Sequence, residues 1–216
     1  VIIFICGYFF GDLVNNKSDE LKGWGDDLSK IKAPLGVYSV LGNHDYGEYT
    51  SWKSNEEKNR NFKNLLKAQK EFGWNLLLNE NDTISVDGNK IKVIGVENWA
   101  SSRFQQYGDL DKAYNGLNNE DFKILMTHNP SHWNAKVTDA YNDIDLTLSG
   151  HTHGLQYGID IGDFRVSPVR LAYKQWADLY ELNNQYIYVN RGFGFMGYPG
   201  RVGILPEITI LELKKS

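Results

Sequence analysis

Ile144-Asp-Leu-Thr-Leu-Ser-Gly-His-Thr-His-Gly154 passes from an apolar run into two histidines bracketed by glycines. The apolar half reads as a buried strand. The polar half carries two imidazoles, donors suited to transition metals, and Gly150 and Gly154 free the backbone on either side. In an extended segment His151 and His153 leave the same face. Open α/β sheets bind ligands outside the carboxyl ends of their strands. Three further segments repeat the pattern. The apolar opening Val1–Phe10 leads into Gly11-Asp12, Gly36–Leu41 ends in Gly42-Asn43-His44-Asp45, and Phe122–Met126 delivers Thr127-His128-Asn129. Four of the five histidines lie in these loops, which places the chemistry where the strands end.

Around these loops the reading is α/β. A helix is expected from a cap at Asn16 or Ser18 to about Lys32, stopping before Pro34. Phe62, Leu65, Leu66 and Phe72 give residues 55–72 one apolar helical face. Leu76–Leu78, Thr83–Val86 and Lys90–Val96 read as strands, the last two joined by Asp87-Gly88-Asn89. Leu110–Leu117 reads as a short helix, and Ser131 is a candidate cap for another. Leu179–Leu182 and Tyr186–Val189 flank an Asn183-Asn184 turn, and Glu207–Leu213 reads as a closing strand. The expected architecture is one domain over residues 1–216, with two packed mixed β-sheets flanked by helices.

Composition narrows the function. The 216 residues are 41% hydrophobic and 23% charged, an ordinary globular balance. A net charge of −4 gives no basic footprint for duplex nucleic acid. No apolar run approaches the length of about 20 residues needed to span a bilayer. Cys6 is alone, so no intrachain disulfide forms, and it reads as a small buried apolar residue. No His-Glu-X-X-His occurs, which argues against a zincin-type protease.

Each loop residue offers a specific donor. Asp12 has two carboxylate oxygens, enough to bridge two cations. Asn43 supplies a neutral carbonyl oxygen. His44 is a candidate proton donor, with Asp45 holding its tautomer. Arg191 and Arg201, set among glycines, are candidates to pair with a phosphate. Trp133, Tyr173, Trp176, Phe193 and Phe195 are candidates to line a cleft. His132 is read as a solvated or capping residue.

Together, Gly11-Asp12-Leu-Val-Asn15, Gly42-Asn43-His44-Asp45, Thr127-His128 and Gly150-His151-Thr152-His153 resemble the calcineurin-like metallophosphoesterase family, and more narrowly its bacterial, membrane-associated branch. The resemblance implies a four-layer αββα sandwich and two adjacent divalent metal ions drawn from Mn, Fe and Zn. It implies Asp12 as the bridging ligand, Asn43, His128 and His151 completing one metal site, and His153 in the other. It further implies hydrolysis of phosphate mono- or diesters by a metal-bridging hydroxide, with His44 as general acid oriented by Asp45. Small phosphoesters or nucleotide-linked molecules are the expected substrates, and membrane association through segments outside this chain is allowed. The family's earlier Asp-X-His does not occur among the eleven residues before Asp12, so one metal site lacks those ligands and the chain reads as N-terminally incomplete. Asn15 stands where many relatives have Asp. The competing reading is a non-catalytic binding or scaffold module on the same fold with an incomplete metal centre.

Overall fold

The computed structural model describes residues 7–86, 88–100, 106–118, 120–162 and 164–214. Cys6, most of the opening strand and Asp87 of the hairpin turn lie outside the described residues. Three parallel strands, β1 (Gly7–Phe9), β2 (Val37–Ser39) and β3 (Asn75–Leu76), form one sheet. A second sheet has six strands: β4 (Glu80–Val86), β5 (Asn89–Gly95), β6 (Phe122–Met126), β7 (Leu146–Ser149), β10 (Asp178–Leu182) and β11 (Gln185–Val189). Their order is β10-β11-β7-β6-β5-β4, parallel through the four central strands and antiparallel at both edges. The second sheet is therefore mixed, and the first is parallel throughout its described strands. A small hairpin, β8 (Ile159–Ile161) with β9 (Phe164–Val166), stands apart.

Period-two alternation in the central strands explains the layering. Ile124 and Met126 of β6, Leu146 and Leu148 of β7, and Ile91 and Val93 of β5 pack against Tyr38 and Val40 from the first sheet. The intervening Ile94 and Leu125, with Ile187 and Val189 of β11, turn to the opposite face. There they meet Leu110 and Ala113 of α3 (Leu110–Tyr114), together with Trp133 and Val137. On the outer face of the first sheet, Val37 packs with Phe72 and Trp74, and with Leu28 from α1 (Gly25–Leu28) and Ala68 from α2 (Asn55–Glu71). Helix, sheet, sheet and helix follow in that order. Full burial of each such aliphatic side chain contributes roughly 1.5–3 kcal/mol.

Local chemistry sets the element ends. Ser54 caps α2 by accepting from Glu57 N at 3.2 Å, and Asp109 caps α3 by accepting from Lys112 N at 2.9 Å. Asn183 and Asn184 both have positive φ, the conformation of a two-residue hairpin loop, and join β10 to β11. The long helix expected up to Lys32 is broken. A single turn at Ser18–Leu21 and the short α1 are separated by Gly23 at φ +87°. The Glu20 carboxylate accepts from the backbone of Asn15, Asn16 and Lys17 at 2.7–2.9 Å, which holds the chain in a turn between β1 and β2. The cap expected from Ser131 comes instead from Asn129, whose Oδ1 accepts from Ser131 N at 2.9 Å. Glu207–Leu213 joins no strand ladder among the described residues. Glu207 and Thr209 turn toward Arg191, Tyr188 and Asn190, while Ile208 and Ile210 face outward.

Candidate metal centre

β1 and β2 are neighbours in one sheet, and β6 and β7 are neighbours in the other, each pair parallel. The loops at their carboxyl ends meet. His128 lies at the centre, with Nε2 3.0 Å from Asp12 Oδ2, 3.1 Å from Asn43 Oδ1 and 3.0 Å from His151 Nδ1. Ligating atoms of Asp12, His128 and His151 all fall within 4.8 Å of one another. Four side chains separated by up to 139 positions in the chain thus share one point, Asp12 and His151 being the most distant.

Glycine makes the approach of the first two loops feasible. A Cβ on Gly42 would lie 2.2 Å from Asp12 Oδ1 and 2.7 Å from His128 Cε1. A Cβ on Gly11 would lie 2.2 Å from Gly42 N. Asp12 itself has φ +56°, and His151 and His153 have φ +69° and +49°, left-handed conformations that cost non-glycine residues energy. The 151–153 segment is therefore a tight turn rather than the extended run the spacing suggested. Its two imidazoles diverge. His151 enters the cluster, whereas His153 points toward Gly192 and its buried Nδ1 has no hydrogen-bond partner.

Asp45 acts differently from the sequence expectation. Its buried carboxylate accepts from Asp12 N and Gly42 N through Oδ2 and from Leu13 N through Oδ1, each at 2.8 Å. It clasps the two loops of the first sheet and does not hold His44. The His44 ring is held by Asn15, whose carbonyl oxygen accepts from Nδ1 at 2.8 Å. The His44 backbone N–H donates to Asp12 Oδ1 at 2.9 Å, and its ring lies 4.5 Å from that of Tyr49.

The electrostatics call for positive charge at the centre. The Phe10 carbonyl lies 2.6 Å from His128 Nδ1 and can only accept, so that nitrogen carries a hydrogen. In the neutral ring Nε2 then presents a lone pair to Asp12 Oδ2 and to Asn43 Oδ1. The Asn43 amide nitrogen donates outward to Tyr49 Oη at 2.9 Å, which leaves its oxygen facing in. Lone pairs converging at about 3 Å repel unless positive charge sits among them, supplied by a proton on His128 Nε2 or by a bound cation. Burial alone would raise Asp12, but the charge and hydrogen bond of His128 hold its carboxyl well below the usual range. Burial likewise opposes a charged His128, yet the Asp12 carboxylate raises it. Burial and the Asp12 charge push Asp45 up to about 7, against its backbone donors. Burial lowers His151 to about 3 and His153 to about 4, so both stay neutral with lone pairs available near pH 7. One carboxylate, one amide oxygen and two imidazoles fit a divalent transition metal, which would take the place of the His128 proton.

The remaining candidates separate. Arg191 is committed to Asp160 and to Glu207, the latter at 2.5 Å through Nε, with Asp178 nearby; it ties the late elements together and is not free for a phosphate. Arg201 stands beside His153. Its Nε and Nη2 donate to backbone carbonyls of Gly194 and Arg191, and its buried Nη1 has no partner. Trp133 and Trp176 are core residues, Phe193 and Phe195 are exposed, and Tyr173 touches the site, with its hydroxyl 2.8 Å from His151 Nε2. His132 is fully buried rather than solvated. It contacts Thr127 Oγ1 at 3.0 Å through Nδ1 and stacks on Trp99. Tyr49 and the carbonyls of Phe10 and Asn15 were not legible in the sequence, because an isolated tyrosine and a backbone oxygen carry no motif.

An αββα sandwich with a carboxylate, an amide and imidazoles gathered at its strand ends defines a metal-binding hydrolase class. The sequence profile described as calcineurin-like phosphoesterase matches residues 7–155, and the chain belongs to that family of metal-dependent phosphoester hydrolases. It is 32% identical over 191 residues to the uncharacterized metallophosphoesterase YkuE of Bacillus subtilis, covering 88% of this chain and 60% of that protein. It is 30% identical to a Bos taurus protein named as a transmembrane protein with metallophosphoesterase domain, covering 95% of this chain and 45% of that one. Among solved structures, Haemophilus influenzae NAD nucleotidase shares the fold at a TM-score of 0.51 and 20% identity, over 87% of this chain and 40% of that one. The chain thus spans about half to 60% of the length of these curated relatives. No helix among the described residues is long and apolar enough to cross a membrane.

Proposed function

We propose that this chain hydrolyses phosphate mono- or diesters at a centre in which Asp12, Asn43, His128 and His151 hold a divalent cation. The observation that carries the reading is the convergence of these four donors on one point with His44 alongside. The ions proposed are two, drawn from Mn, Fe and Zn. The four clustered donors suit one ion, and Asp12 with the unpaired His153 Nδ1 suits part of a second site. When bound, such ions polarise the phosphoryl group and lower the pKa of water.

The chain's own residues do the rest. The Asn15 carbonyl keeps Nδ1 of His44 protonated, so Nε2 is the atom that delivers a proton to the leaving oxygen. Asp45 keeps the two loops in register through their backbone. Arg201 is the remaining candidate for a phosphoryl oxygen. An open cavity of about 440 Å³ is lined by Ser131, Asn134, Tyr173, Lys174 and Gln175, of which Tyr173 also reaches the centre. A small phosphoester or nucleotide-linked substrate suits it, and similarity to an NAD nucleotidase supports that class. Membrane association is part of the proposal only through the relative named as transmembrane, since no helix among the described residues is long and apolar enough to cross a membrane.

The test is turnover of an aryl phosphate mono- and diester by purified protein with added Mn. His44→Ala should keep its metal and lose about 10²–10⁴-fold in rate. His128→Ala should lose metal and rate together. Wild-type speed in His44→Ala removes the acid role, and metal binding without turnover of either ester favours the scaffold reading.

A further inference from the structure

His151 has two ring nitrogens and two different neighbours. Nδ1 faces His128 Nε2 at 3.0 Å inside the cluster, and Nε2 faces the Tyr173 hydroxyl at 2.8 Å outside it. A neutral imidazole carries one hydrogen, so the outer contact decides what the inner nitrogen presents. If Tyr173 donates, Nδ1 holds a hydrogen exactly where a cation must sit. If Tyr173 accepts, Nδ1 presents a lone pair.

The cation site proposed above selects the second arrangement, because a ligating nitrogen must present a lone pair. The hydrogen of His151 then sits on Nε2, and a lone pair of the Tyr173 hydroxyl 2.8 Å away accepts it. The ring of Tyr173 meets that of His151 edge-on at 76°, with centroids 5.4 Å apart, which fixes the imidazole plane.

We infer that Tyr173 is a positioning residue: its hydroxyl accepts from His151 Nε2–H and thereby holds the Nδ1 lone pair toward the metal centre. This rests on the cation site proposed above. Removing the hydroxyl strands a buried N–H in the metal-loaded state. The metal-free state escapes that penalty by changing tautomer, so the loss falls on metal affinity rather than on the fold.

The experiment uses the full chain, wild type and Tyr173→Phe, with Zn as the probe. Imidazole nitrogen NMR on the Zn-loaded protein should show the His151 hydrogen on Nε2 in the wild type. Calorimetric titration should give Zn affinity about 10–100-fold weaker in Y173F, with the melting temperature of the metal-free protein unchanged. An Nδ1–H tautomer in wild type, or equal Zn affinity in the two proteins, overturns the role of Tyr173 and leaves the cation site standing. Wild-type protein that binds no Zn overturns both.

Discussion

His132 shows what burial does to one residue in this fold. Its ring is enclosed between Trp99 and the loop after β6, Nε2 has no partner, and burial lowers it to about 3. An exposed histidine titrates near 6.5. Between those values the unfolded chain binds a proton that the native chain refuses, so stability falls as pH drops below 6.5. His132 contributes a slope of up to about 1.4 kcal/mol per pH unit in that window. Denaturant unfolding between pH 7 and 5 should be less pH-dependent in His132→Gln than in wild type, and an unchanged slope would show that His132 is not buried neutral. Asp45 teaches a related lesson. The sequence pairs it with His44 as an orienting carboxylate, because the two are adjacent. The fold turns it to backbone amides, and the orienting oxygen comes from Asn15.

Among elements, the four strand-end loops carry the account, and the glycines decide whether they meet. Gly42 sits where any Cβ strikes Asp12 and His128. Gly42→Ala should destabilise the fold by about 1–3 kcal/mol and abolish metal uptake, because relief requires the loops to separate. A control at Gly116, where a Cβ meets nothing within 4 Å though φ is +81°, should bind metal normally. Calorimetric metal titration of both variants checks this, and normal uptake by Gly42→Ala would contradict the close approach. Much of this level was legible. Apolar runs ending in Gly and His located β2, β6 and β7 and all four loops, since burial and ligand chemistry both leave marks on residue type. What was not legible depended on backbone geometry. The left-handed turn at His151–His153 separates two imidazoles that an extended segment would align, and Gly23 at φ +87° breaks the helix that the caps and Pro34 suggested. The closing segment alternates like a strand, yet the side chains of Glu207 and Thr209, rather than a ladder, hold it.

At the scale of the molecule, two sheets face each other across one apolar layer, and the centre lies where their parallel strands end together. Neither sheet supplies enough donors alone. Asp12 and Asn43 come from one, His128 and His151 from the other. Metal binding is therefore coupled to sheet packing, and a bound ion should raise the unfolding temperature by mass action. The most direct measurement is anomalous diffraction from crystals of this chain grown with Mn. The account predicts a peak about 2.0–2.3 Å from Asp12 Oδ2, Asn43 Oδ1, His128 Nε2 and His151 Nδ1 at once. A crystal in which this position stays dark while the ion settles on surface carboxylates would contradict it.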